Sequence, residues 1–156
     1  MREIKFRAWD RAARKFFIPV YEAWCGKLEE LLLSLDGMLF IRDVSLNLTF
    51  VDDRFILMQY TGFKDKHGKE IYEGDIVLCD DNNPAPAQKC TIQWGATIED
   101  NLETGWWLIG QKPFYNGRVK NSADLLVSRS QKHMEIIGNI YENPELASKA
   151  SGAEEE

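Results

Sequence analysis

Long apolar runs are missing from this sequence of 156 residues: Leu31 to Leu33 and Phe55 to Met58 are typical of what it offers. A membrane-spanning helix needs ~20 consecutive apolar residues, so no membrane segment is expected. The N-terminus alternates charged with apolar side chains, without the continuous apolar stretch of a secretory leader. A cytoplasmic protein is the expectation. Cysteine is scarce and odd in number, with Cys25, Cys79 and Cys90 in no CxxC spacing. That excludes a disulfide framework and favours reduced thiols used as small hydrophobes. Only two histidines occur, His67 and His133, too few and too scattered for a zinc site with paired ligand spacing. No period of 20 to 50 residues recurs, which excludes solenoids and propellers.

Apolar residues make up 44% of the chain, enough for one domain, or two small intimately packed ones, with a sizeable core. The net charge is −6. Its first fifteen residues nevertheless carry Arg2, Lys5, Arg7, Arg11, Arg14 and Lys15 against Glu3 and Asp10. A phosphate-binding patch is one reading of that basic end. The preferred one is a charged strand edge protected from aggregation, because the acidity of the whole chain opposes attraction to nucleic acid.

Period-two alternation marks strands at Ile4, Phe6 and Ala8, at Leu46, Leu48 and Phe50, and at Cys90, Ile92 and Trp94. Phe16 to Val20 is a further β-rich run, joined to the first by Asp10 to Lys15 as a hairpin. Phe55 to Tyr60, Ile76 to Cys79, Thr104 to Ile109 and Met134 to Tyr141 add strands, and Asn116-Gly117 marks a tight turn. Leu28, Leu31, Leu32 and Leu35 stand at i, i+3, i+4 and i+7 before Asp36-Gly37. That spacing predicts an amphipathic helix of two to three turns. Residues 122–130 read equally as helix or strand. Asn143-Pro144 reads as the cap and first position of a terminal helical turn.

The expected fold is therefore mainly β with one or two short helices, an SH3-like or complex small β-barrel carrying an N-terminal β-layer. Its parts are residues 1–56 as a hairpin, helix and strand layer packed on the rest, and 57–146 as a bridge and C-terminal barrel. Residues 147–156, small and acidic, form an expected disordered tail.

Chemistry is harder to find. Gly62 and Gly68-Lys69-Glu70 miss the P-loop spacing by one residue and lack its hydroxyl ligand for magnesium. Asp65, His67 and Gly68 lack the further acidic oxygens of a calcium loop. No GxSxG or comparable motif accompanies either histidine. Asp10, Glu70, Glu73 and Asp75 could do acid/base or metal-assisted work if their environments differed. A turn entering a strand explains Glu73-Gly74-Asp75 more simply, and Asp65 with Gly68 has the spacing of a type I turn. Trp106 and Trp107 are consecutive strand residues and point to opposite faces, so both sides of that strand need cover. The preferred cover lies within the chain, and the functional reading is a partner or subunit interface. Lys5, Arg7 and Trp9 on one strand face are the candidate nucleic-acid contacts.

Three segments carry a family resemblance: REIKFRAWD (Arg2 to Asp10), LMQYTGFKDKHGKEIYEGDIV (Leu57 to Val77) and EIIGNIYENPEL (Glu135 to Leu146). Together they resemble the signature of the YopX family of phage and prophage proteins, with Gly62, Asp65, Gly68, Glu73, Gly74 and Asp75 as its central residues. The resemblance implies a compact, β-rich accessory protein in a bacterial host, with no assigned reaction. The expected activity is therefore binding of a protein partner or self-association, without enzyme activity, cofactor or metal. A nucleic-acid-binding module and a metal-dependent hydrolase or nuclease are the alternatives.

Overall fold

The computed structural model describes residues 3–22, 27–51, 53–80, 87–97, 103–112, 120–125 and 131–147, with only the backbone described at some strand positions, Trp107 among them. Residues 148–156 of the expected disordered tail, the expected Asn116-Gly117 turn, Cys25 and residues 126–130 lie outside the described residues, while Ala147, the first residue of that expected tail, is helical. The chain divides into two units, Arg7–Leu57 and Met1–Phe6 with Met58–Glu156.

The unit Arg7–Leu57 holds most of β1 (Phe6–Asp10), then β2 (Lys15–Phe16), β3 (Val20–Glu22), β4 (Lys27–Leu33), β5 (Leu39–Asp43), β6 (Leu48–Phe50) and the start of β7 (Phe55–Lys64). β1 and β2 form the expected hairpin, pairing Trp9 with Phe16 and Asp10 with Lys15. Its core is small: Ala8, Trp9, Asp10 and Phe55 are buried, with Trp9 edge-on to Phe16 and Phe17 edge-on to Phe55. Burial rises along β1 instead of alternating. Ile4 and Phe6 are exposed.

The leucine segment is the principal correction. Lys27–Leu33 is a strand, inner in a sheet ordered β3-β4-β5-β6, and its ladder to β5 runs from Glu29↔Asp43 to Leu33↔Leu39. Leu31, Leu32 and Leu33 are consecutive and so supply apolar groups to both faces, which helical and strand spacing fit equally well. The pairing offered by Leu39–Asp43 decides the outcome. Leu35, the last member of the supposed helical stripe, is fully exposed beyond the strand. β6 also departs from expectation: its three residues are all exposed, and Leu46 stands outside it in a turn at φ 62°.

In the other unit, β8 (Glu70–Tyr72) pairs with β7, while β9 (Asp75–Cys79), β10 (Gln88–Thr97), β11 (Glu103–Lys112), β12 (Lys120–Leu125) and β13 (Met134–Asn139) form a sheet ordered β12-β11-β10-β9-β13. The β9–β10 hairpin is as expected, joining Gln88 to Cys79 and Thr91 to Ile76. Ile71, Val77, Cys79, Cys90, Ile92, Trp106, Leu108 and Met134 form its core. Cys79 and Cys90 are buried free thiols, used as the small hydrophobes expected. Residues 122–125 of the ambiguous stretch are strand, within β12. The one α-helix among the described residues is α1 (Pro144–Ala147), opened by Asn143 as its sequence suggests. A mainly β chain with little helix follows. SH3-like closure of the five-stranded sheet remains an expectation.

Candidate functional site

Asp65 begins the signature turn. Its backbone oxygen accepts from Gly68 N at 2.9 Å, and its Oδ1 accepts from the amides of His67 and Lys69, each at 2.9 Å. Gly68 sits at φ 80°, the left-handed region that favours glycine. Asp65 is buried, however, and its Oδ2 accepts from Ile136 N of β13 at 3.2 Å. Burial alone would raise its pKa, yet the amides of Lys69, Ile136 and His67 outweigh it and hold the carboxyl below the usual range.

Asp75 plays the turn role expected for it. Its Oδ2 accepts from Tyr72 N at 2.8 Å and its Oδ1 from Asn139 Nδ2 at 3.3 Å. Gly74 between them stands at φ 76° and donates its amide to Ile92 O. Asn139 in turn accepts from Tyr141 N, and Asn143 Oδ1 accepts from Asn139 N. A Cβ on Gly138 would lie 2.6 Å from Asn143 Oδ1, so the close approach of β13 to the α1 cap needs glycine there. Gly62 is not a turn residue. It occupies β7 at φ 90°, where the pairing with β8 shifts register between Tyr60 and Lys64. Glu73 contributes its amide to Gln59 O.

Two carboxylates remain from the acid/base set, and both face cations. Asp10 Oδ1 accepts from Ala12 N and Ala13 N at 2.9 and 3.1 Å and from Arg54 Nε at 3.3 Å, while Oδ2 receives an Arg54 guanidinium nitrogen at 2.7 Å. The Arg54 guanidinium holds the Asp10 carboxyl below the usual range. An open cleft of about 400 Å³ lies beside the pair, walled by Lys15, Phe16, Phe17, Ile18 and Glu29. With both Asp10 oxygens engaged and two charges of each sign at its walls, the cleft presents neither a general base nor a field of one sign. Glu70 accepts from Lys5 Nζ at 2.6 Å and from the Tyr72 hydroxyl at 2.9 Å, and Lys5 first among them depresses its pKa. Asp10 belongs to one unit and Glu70, Glu73 and Asp75 to the other. Among the described residues, no three His, Cys, Asp or Glu side chains group as metal ligands.

The candidate nucleic-acid contacts are occupied from within. Lys5 Nζ also pairs with Glu3 and lies 5.5 Å from the Tyr60 ring centre. Arg7 stacks on Phe16 at 4.7 Å, and Trp9 is buried against the same ring.

Trp106, only 7% exposed, belongs to the core, as expected for one of the two tryptophans. The side chain of Trp107 lies outside the described residues. The unforeseen partner is Trp94, directly opposite Trp106 in the β10–β11 ladder, edge-on at 5.0 Å and 53% exposed. Alternation placed Trp94 on the core face without showing that it ends that face at the surface. Arg54 was also missed. It lies 44 residues from Asp10, and no local pattern announces such a pair.

A broader apolar surface lies on the β3–β6 sheet. Among the described side chains of β4, β5 and β6, Leu31, Leu32, Leu39, Phe40 and Ile41 are half-buried, Leu33, Leu48 and Phe50 are exposed, and none is buried.

A crystal structure of protein YopX from Bacillus subtilis superposes with a TM-score of 0.51 at 20% identity, covering 94% of this chain and 98% of that one. A crystal structure of a protein from Enterococcus faecalis is 26% identical, with a TM-score of 0.44 and coverage of 94% and 99%. No curated protein matches the chain. The YopX protein family model matches residues 5–148, taking in the buried Asp65 and Asp75 turns, the Lys5–Glu70 pair and the Gly138 approach. The chain belongs to the YopX family.

Proposed function

We propose that this chain is a non-enzymatic phage or prophage accessory protein, working in the bacterial cytoplasm by binding protein, either another chain or a second copy of itself. The observation carrying this reading is the β3–β6 sheet, whose described leucines, isoleucine and phenylalanines stop at half-burial or exposure. A sheet gains its stability by covering an apolar face, and contiguous apolar surface left open marks interaction sites. Trp94 adds an aromatic of the kind enriched in interfaces. The alternatives draw less support, since the Asp10 and Glu70 carboxylates face cations, that of Asp75 accepts from a backbone amide, and the basic strand is occupied by Glu3, Glu70, Tyr60 and Phe16.

Photo-crosslinking in the host cell tests it, with the reactive group placed at Leu33 or Met38, both exposed. Crosslinks to a protein are expected from both positions, and much weaker ones from Lys132 on the other unit. If Leu33 and Met38 react no more than Lys132, the sheet is not the binding surface.

A further inference from the structure

β6 is the edge of its sheet, and its backbone direction is fixed by its bonds to β5. Asp43 N donates to Asn47 O and Val51 N to Leu39 O, so in this ladder, where Ile41 faces Thr49, residues 47, 49 and 51 turn their polar groups inward. Bonding sides alternate along a strand. The N–H and C=O of Leu48 and Phe50 therefore point away from the sheet. Their side chains share one face and are 59% and 52% exposed. Natural edges are guarded by lysine, proline, bulges or cover. The sequence Leu48-Thr49-Phe50 holds no charge and no proline, and the β5–β6 register is unbroken.

We propose that β6 pairs with β6 of a second copy, antiparallel about a two-fold axis at Thr49, joining the two four-stranded sheets into one. The proposal rests on the protein-binding reading above and names its occupant. In this register Leu48 faces the partner's Phe50 and each such pair exchanges both backbone bonds, which uses the outward groups of both residues. An isologous contact needs a patch complementary to itself. The Leu-Thr-Phe edge meets that need, with leucine set against phenylalanine twice. Charge agrees: on the same face the neighbouring ions are Arg42, opposite Leu48, and Glu30, opposite Arg42, and these two pair with each other. Two copies thus meet across a locally neutral surface despite the net charge of −6. A strongly basic or acidic partner would find nothing there to select it. Phe40 and Phe50 already stack across the ladder at 5.7 Å, and the partner's Leu48 extends that apolar row.

The geometry sets a specific test. Thr49 faces its own copy in a non-hydrogen-bonded pair, where Cα atoms lie about 4.5 Å apart, within the roughly 4.4 to 6.8 Å that a disulfide spans. Mild oxidation of full-length Thr49→Cys should yield a covalent dimer. Leu35→Cys, exposed but off the edge, and the unaltered chain with its own cysteines should not. In sedimentation, the unaltered chain should be a concentration-dependent dimer. Leu48→Lys/Phe50→Lys and Leu48→Glu/Phe50→Glu should each be monomeric with unchanged far-UV circular dichroism and a Tm that no longer rises with protein concentration, and their equimolar mixture should dimerise. A chain monomeric at every concentration, a dimer that survives both double variants, or crosslinking from Leu35→Cys equal to that from Thr49→Cys overturns the proposal. A monomer that still crosslinks to a different protein from Leu33 in cells would remove the β6 pairing alone. Loss of both removes the binding reading with it.

Discussion

Asp10 is nearly enclosed, and Arg54 and two backbone amides meet its carboxylate. Its folded pKa is depressed, with the Arg54 bond the first cause, so the folded state binds its proton less readily than the unfolded chain does. The associated stability is present above the unfolded value of about 3.9 and is lost as pH falls through the lower folded value. Asp10→Asn should cost on the order of 2 kcal/mol at neutral pH, where the charged bonds are lost. Below about pH 4 the gap to the parent should begin to narrow, because the unfolded parent then takes up the proton, and it should close only as pH falls through the lower folded value. Parallel denaturation curves across pH with a constant gap would show that the pair contributes nothing through its ionisation. Gly68 tests a different force. Space around it is open, yet φ is 80°, so Gly68→Val should cost on the order of 1 to 2 kcal/mol through backbone strain alone. Gly68→Asn should cost less, since asparagine tolerates the left-handed region. Equal melting temperatures for Val and Asn would remove strain as the reason for glycine.

At the scale of elements, turns were legible and the leucine strand was not. Asp65 to Gly68 and Glu73 to Asp75 declare themselves through residues whose local chemistry does the work, an Asx acceptor and a glycine at positive φ. The strand Lys27–Leu33 has no such local mark. A pattern apolar on two faces satisfies either period, and the choice falls to Leu39–Asp43, which supplies the ladder from some ten residues away. The same limit hid the depth of the signature acids. Asp65 reads as a solvated turn residue until Ile136 of β13 closes over it. Leu35 separates the two readings of the leucine segment by experiment. On a docked helical stripe it would lose several kcal/mol as aspartate, by analogy with core leucine truncations of ~2 to 5 kcal/mol. In this fold it is fully exposed, and Leu35→Asp should shift stability by no more than about 0.5 kcal/mol in urea titration.

For the whole molecule, the distribution of charge matters more than its sum. An acidic chain with a basic end resembles a nucleic-acid binder in outline, since fifteen residues with an excess of cations would suffice for several phosphate contacts. What decides is whether those cations are free to release counterions, and two of the three residues on the candidate face are cations already engaged. Lys5 is held between Glu3 and Glu70, which raise its pKa, the Glu70 bond foremost. Arg7 lies over Phe16, and the aromatic that would stack a base, Trp9, is buried against that ring. Exchanging internal partners for phosphates gives little net gain, while the remaining charge of the molecule repels the backbone. Full-length protein titrated with fluorescent single-stranded DNA at about 50 mM salt should therefore bind no tighter than roughly 100 µM, the weak end of non-specific association. Glu3→Gln/Glu70→Gln, which frees Lys5 and removes two negative charges, should tighten that binding and steepen its decline with salt. Micromolar affinity of the unaltered chain with a steep salt slope would show instead that the basic strand is available, and would restore nucleic acid as the ligand of this surface.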